Sequence, residues 1–144
     1  MTGGQRALNA TVRWLADRGV GLAGARTLTV TGRSSGNAHR IPVNPLTVGE
    51  RRYLVAPRGV TDWVRNVRID PRGQLRRGRH TEDVVLSELG DDDHKLTVVA
   101  DYLARWGWEV GSLLPAGLTP RSDEETLRRY LGVLPVFEVT SAAD

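Results

Sequence analysis

Thr27-Leu28-Thr29-Val30-Thr31-Gly32-Arg33-Ser34-Ser35-Gly36-Asn37 is the stretch that decides the fold. Residues 27–31 alternate and are rich in β-branched side chains, which predicts a strand. The six residues that follow are turn formers throughout, so the chain reverses there. A second strand is expected around 40–48. It must admit Pro42 and Pro45, which donate no ladder hydrogen bond, so it belongs at an edge or a bulge. Gly49-Glu50 then turns the chain into Arg52-Tyr53-Leu54-Val55-Ala56, a third strand. Strands joined by tight turns argue for an antiparallel sheet or barrel and against regular βαβ winding.

Working outward, Pro57-Arg58-Gly59 breaks the third strand, and Thr61 or Asp62 caps a short helix through about Ile69. Asp70-Pro71 ends it. Residues 72–77 and 80–88 form a further hairpin turning near Gly78, with Val84 and Leu86 on one face. Asp91-Asp92-Asp93 opens a helix to about Arg105, where negative charge suits the helix dipole. Ser122 with Glu125 three residues on is a capping box for a helix to about Leu131, and residues 135–140 supply a last strand that closes the sheet. Upstream, residues 5–18 read as an amphipathic helix stopped by the glycine-rich stretch Gly19 to Gly24. The expected fold is α+β and mainly β: a barrel of about six mostly antiparallel strands, with an N-terminal helix and peripheral helices.

The chain has 144 residues, 40% hydrophobic and 26% charged, the balance of one globular domain spanning 1–144. It contains no cysteine, which excludes disulfides, thiolate zinc sites, iron–sulfur clusters and cysteine nucleophiles. No apolar run approaches the ~18 residues that cross a bilayer, and no apolar signal core stands near the N-terminus, so a cytoplasmic location is expected. The N-terminal helix has a narrow apolar face and few basic residues, which favours packing on the barrel over contact with a membrane surface. Nineteen arginines stand against one lysine, Lys95, at a formal net charge of only +3.

Several motifs fail on context. Gly19-Val20-Gly21-Leu22-Ala23-Gly24 fits G-x-G-x-x-G, but it follows a helix and precedes a strand, the reverse of a dinucleotide site. Gly32-Arg33-Ser34-Ser35-Gly36 fits the G-x-S-x-G nucleophile elbow, yet extended chain follows it where a helix is required. His39, His80 and His94 have no metal-ligand spacing, and His80-Thr81-Glu82 lacks the cysteines of a zinc deaminase. Arg72, Arg76, Arg77 and Arg79 read as the solvated outer face of a hairpin. Without stacking aromatics on these strands, nucleic acid is not the expected partner.

What survives is an anion cradle at residues 31–36. A glycine-flanked turn exposes backbone N–H groups, two serines add hydroxyls, and Arg33 adds a charged fork. Across the next hairpin, Pro57-Arg58-Gly59 precedes a capped helix carrying Trp63 and Asn66, and Trp63 can pack on a planar ring. Arg33, Arg40 and Arg58 flank the proposed groove. Trp106 and Trp108 read first as core, with a substrate pocket as the other reading. For a reaction that needs a proton, the donor is solvent or a tyrosine, and Tyr102 and Tyr130 are candidates that no positional pattern in the sequence supports.

At these residues the sequence resembles the deazaflavin-dependent nitroreductases. The run Leu28 to Gly36 with Arg40 and Pro42 is similar to their T-G-R-x-S-G-x-x-R-x-x-P signature. The likeness continues through Arg52-Tyr53-Leu54-Val55-Ala56, Trp63-x-x-Asn66 and Asp70-Pro71. It covers residues 26–89 well and the C-terminal third loosely. The resemblance implies a split β-barrel that binds the deazaflavin coenzyme F-420 in a side groove and passes hydride to a quinone, nitroaromatic or activated alkene. FMN is the less favoured cofactor. It implies coenzyme contacts at Arg33, Ser34, Ser35, Gly36, Asn37, His39, Arg40, Pro42, Ala56, Pro57, Arg58, Trp63 and Asn66. The chain then divides into a helix and linker (1–24), coenzyme-binding strands (25–90), and helices with a closing strand (91–144). The partner is a small-molecule hydride acceptor, with the protein a monomer or homodimer. Ser34 stands where lysine or arginine is usual, His39 where arginine is usual, and Pro57 where serine is frequent. The other class of function left open is a non-catalytic carrier of a flavin, haem or fatty-acyl ligand.

Overall fold

The computed structural model describes residues 26–142; the expected N-terminal helix and glycine linker lie outside them. Seven strands form one sheet: β1 (Arg26–Thr31), β2 (Ala38–Val43), β3 (Leu46–Val48), β4 (Arg51–Val55), β5 (Arg72–Arg77), β6 (His80–Glu88) and β7 (Val136–Ser141). Every pairing is antiparallel. The helices are α1 (Asp62–Ile69), α2 (Asp93–Val110) and α3 (Glu124–Tyr130).

The sheet order β2-β1-β5-β6-β7-β4-β3 puts β2 and β3 at opposite edges. A flat sheet of that width would separate its edges by roughly 29 Å at ~4.8 Å per strand. Yet Val43 and Leu46 are joined by Asn44 and Pro45 alone, a link that reaches at most about 11 Å. The sheet must curl until its edges face each other, which makes a barrel split between β2 and the β3–β4 hairpin.

The expected strand at 40–48 is thus two strands, which raises the count from about six to seven. Asn44-Pro45 breaks it because Pro45 offers no N–H to either ladder. Pro42 is tolerated because β2 is an edge strand. The last strand does more than close the sheet: β7 lies between β6 and β4 and joins the two hairpin sets.

Alternation along the strands makes two cores. Leu28, Val30, Leu54, Leu75, Val84, Leu86 and Phe137 fill the barrel. Tyr53, Val55 and Val136 face the other way, onto Val98, Val99, Tyr102, Leu103 and Trp106 of α2. Tyr53 is fully buried and its hydroxyl is satisfied by His94 Nε2 at 2.9 Å.

Helix α1 positions the site. Its N-cap is Thr61, whose side chain makes no capping bond, and its last turn ends at Asp70 in extended conformation, as the following Pro71 requires. Val64 and Val67 anchor it in the barrel core, each contributing about 1.5–3 kcal/mol by burial. Two expected boundaries shift. Helix α2 runs on to Val110 because its apolar stripe continues through Trp106. Asp123, not Ser122, caps α3, its carboxylate accepting from the Thr126 N–H. At the head of α2, Asp92 caps by accepting from the Lys95 N–H at 3.0 Å.

Candidate functional site

Two cavities lie on either side of α1. The first, about 290 Å³, is lined by Gly32, Arg33, Ser34, Ser35 and His39 of the β1–β2 turn and by Asp62 and Asn66 of the helix. The turn folds largely on itself. The Gly32 N–H donates to the Asn37 carbonyl at 2.8 Å, and the Gly36 N–H donates to the Gly32 carbonyl at 2.9 Å. The Asn37 N–H donates to Ser35 Oγ at 3.1 Å. Gly36 has φ 74°, which glycine accepts without strain. The imidazole of His39 lies over Gly32 so closely that a Cβ there would stand 2.5 Å from its Nε2.

Arg33 and Asn66 act as a clamp between turn and helix. Asn66 is buried, and its Oδ1 accepts both the Arg33 backbone N–H at 3.0 Å and Arg33 Nη1 at 2.8 Å. Arg33 Nη2 also meets Asp62 Oδ1 at 3.3 Å. Two donors facing one amide atom identify that atom as oxygen, so the Asn66 NH2 is the half that Arg33 does not engage. The fork of Arg33 is committed inside the protein. With four of the six amides at 32–37 engaged, those of Ser34 and Ser35 have no acceptor among the described residues. The row of anion donors is therefore shorter than the turn sequence suggests: two amides, two hydroxyls and one side-chain NH2.

The second cavity, about 210 Å³, opens at the split of the barrel. Pro42, Val43 and Asn44 supply one wall, Val55 and Pro57 the opposite one, and Trp63 of α1 stands between. Trp63 packs on Phe137 with ring centroids 5.6 Å apart, which fixes the indole against the barrel. Tyr102 and Glu109 of α2 close the base. Burial pushes the Glu109 carboxyl above the ordinary glutamate range, against a smaller opposite effect of the Asn44 amide, which donates to Oε2 at 3.2 Å. Burial, and next the Glu109 charge, push the Tyr102 phenol well above the ordinary tyrosine range, so this hydroxyl remains a proton carrier.

The structure thus brings Arg33, Ser34, Ser35, His39 and Asn66 to one cavity, and Pro42, Pro57 and Trp63 to the other. Arg40 stands on the β2 face it shares with Pro42, one pleat repeat of about 7 Å toward the turn. Gly36 lines a different depression on the far side of the turn, and Asn37 is exposed beside it. Arg58 is exposed at the tip of the turn closed by the Gly59 N–H to Ala56 carbonyl bond at 3.1 Å. Ala56 is buried in the barrel core, with its N–H donating to the Pro135 carbonyl. Trp106 is core, Trp108 is exposed, and Tyr130 donates to the Ala116 carbonyl away from both cavities. Glu109 and Asn44 carried no signal in the sequence, because only the packing of α2 across the split brings them to the slot.

The sequence model of the F420H(2)-dependent quinone reductase family matches residues 6–105. No curated protein sequence matches significantly. Among solved structures, the chain is similar to an F420-H2 dependent reductase (FDR-A), at 20% identity over 81% of this chain and 94% of that one, TM-score 0.52. It is also similar to a putative pyridoxamine 5'-phosphate oxidase from Listeria innocua (13% identity, 83% and 84% covered, TM-score 0.51). A third is HutZ, the heme storage protein from Vibrio cholerae (13%, 94% and 88%, TM-score 0.55). At these identities the structures establish a shared split-barrel fold.

Proposed function

The chain belongs to the F420H(2)-dependent quinone reductase family, and we propose that it binds reduced coenzyme F-420 across the two cavities and reduces a quinone or another planar, electron-poor acceptor such as a nitroaromatic or activated alkene. The observation that carries this reading is the adjacency, across one eight-residue helix, of an apolar slot and a donor-lined turn. A ring system with an anionic arm requires both surfaces side by side, so the residues present fit the group. The coenzyme supplies hydride when bound, and the protein needs no nucleophile of its own.

In this reading Trp63, Pro42 and Pro57 hold the ring plane and exclude water from it. The amides and hydroxyls of Ser34 and Ser35, with the Asn66 NH2, receive the anionic arm, and Arg40 and Arg58 supply charge at the rim. Arg33 acts one step back, keeping the turn on α1. Gly36, Asn37 and His39 shape the turn, and Ala56 backs the slot from the core. Tyr102 and Glu109 are the proton-bearing groups at the slot base, placed to hold or return a proton as the acceptor is reduced. Residues 1–144 are read as one domain.

The test is a fluorescence titration of the purified protein with oxidised and reduced F-420, beside FMN and haem. Saturable F-420 binding that weakens at least tenfold on Trp63→Ala, followed by menadione-dependent oxidation of the reduced coenzyme, is the expected result. Binding of haem or FMN with none of F-420 would overturn it.

A further inference from the structure

The barrel end remote from the turn holds a third cavity, about 330 Å³, and its lining is strongly basic. Arg26, Arg52, Arg77, Arg105 and His80 converge there with a single carboxylate, Glu82. They come from β1, β4, the β5–β6 hairpin and α2, so tertiary structure gathers them rather than one local run. Strand β1 separates this cavity from the turn cradle: Arg26 and Thr31 stand about 17 Å apart at strand rise.

Glu82 does not neutralise the cluster. Both its oxygens are held by the Arg52 fork, at 2.8 Å each, and that hydrogen-bonded pair keeps its carboxyl below the ordinary glutamate range. Arg77 and Arg105 make no ion pair with a carboxylate among the described residues. Burial, then the charges of Arg77 and Arg52, lower the basicity of Arg26, so the guanidinium groups repel one another.

Elsewhere Arg33, Arg51, Arg65, Arg68, Arg72 and Arg128 each lie within 4 Å of a carboxylate, while Arg40, Arg76, Arg79, Arg121 and Arg129 have no such pair among the described residues; what sets Arg77 and Arg105 apart is that they meet in one cavity. The apolar side of the cavity adds an independent observation. Trp106 lines it, is almost fully buried, and its Nε1–H has no acceptor among the described residues. Arg105 lies over the Trp106 ring at 5.1 Å, which holds its fork in a defined plane. Guanidinium forks match phosphate and carboxylate oxygens in pairs.

We propose that this pocket binds a small multivalent oxyanion, a phosphorylated or polycarboxylate compound, at a site separate from the coenzyme groove. The ligand would bridge Arg77 and Arg105, while Leu46, Leu75 and Trp106 offer a wall for its carbon skeleton.

Isothermal titration and thermal unfolding with inorganic pyrophosphate and with citrate, at constant ionic strength in chloride, test this. Saturable binding is expected, at least tenfold weaker in the Arg77→Ala/Arg105→Ala double variant. Both side chains are surface-exposed, so the variant should fold. The stronger of the two probes tells phosphoryl from carboxylate chemistry. The double variant should bind F-420 as the unmodified protein does, and Asn66→Asp should still bind the anion. The proposal falls if neither probe exceeds chloride, if the double variant binds as tightly, or if Asn66→Asp abolishes anion binding.

Discussion

Asn66 separates two roles that the site combines, and two substitutions there are expected to rank oppositely in two assays. Asn66→Ala removes the oxygen that accepts from the Arg33 N–H at 3.0 Å and from Nη1 at 2.8 Å. An unsatisfied, part-buried N–H costs about 1–3 kcal/mol. The guanidinium loses less, roughly 0.5 kcal/mol, because its side chain is 34% exposed and keeps Asp62. The sum is about 2 kcal/mol, or roughly 6–8 °C in Tm for a chain of this size. Asn66→Asp keeps an oxygen toward Arg33 and is expected to hold Tm within about 3 °C. It replaces the outward NH2 with a second oxygen and puts negative charge in the cradle. At ~5 Å and an effective dielectric near 20, like charges repel by about 3 kcal/mol. Partial compensation by Arg33 still leaves F-420 binding at least about tenfold weaker, the equivalent of ~1.4 kcal/mol. Thermal unfolding and the F-420 fluorescence titration read the two effects separately. An Asn66→Asp protein that unfolds as early as Asn66→Ala refutes the clamp; one that binds coenzyme unimpaired refutes the assignment of the NH2 to the cradle.

Two further outcomes follow from buried groups. Lys95, the one lysine, is buried and donates to the Leu131 carbonyl at 2.5 Å and to Asp91 Oδ1 at 2.6 Å. Lys95→Met fills the space but strands that carbonyl, so a loss of about 2 kcal/mol is expected in denaturant melts; an unchanged midpoint would contradict it. Glu109 in the folded chain keeps its proton above the pH at which the unfolded chain has lost it. Stability of the unmodified protein should therefore fall as pH rises from the ordinary glutamate value, about 4.3, through the raised one. Glu109→Gln removes that dependence, so its Tm should gain on the unmodified protein as pH rises above the ordinary glutamate value, about 4.3. Parallel curves would show that the carboxyl is not held back by burial.

What could be read in the sequence was set by local rules. The edge placement of the proline-bearing strand followed from missing N–H groups, and the end of α1 followed from Pro71 acting on Asp70; both need only neighbours in the chain. The break at Asn44-Pro45 was missed because a continuous strand and two strands on opposite barrel edges have the same local pattern. Only the global order of the sheet distinguishes them. Capping at Asp123 instead of Ser122 is the one-residue uncertainty of any helix end.

The site divides along the same line. Residue type is local, so the donor-rich turn and the ring-packing indole were visible as chemistry. How a side chain spends its hydrogen bonds is not local. Arg33 reads as an anion fork in sequence, and in the folded chain it is committed to Asn66 and Asp62, residues 33 and 29 positions away. Arg77 reads as solvated surface on a hairpin, and folding brings it toward Arg26, Arg52 and Arg105 with only a spent carboxylate between them. The two arginines exchange roles because charge neutralisation is a property of the tertiary neighbourhood. A guanidinium bound to an internal carboxylate has little left for a ligand, whereas Arg77 and Arg105, with none among the described residues, gain from an oxyanion that enters. In the proposed coenzyme site the signature arginine is thus part of the frame, whereas Arg77 and Arg105, outside any signature, have no carboxylate partner among the described residues.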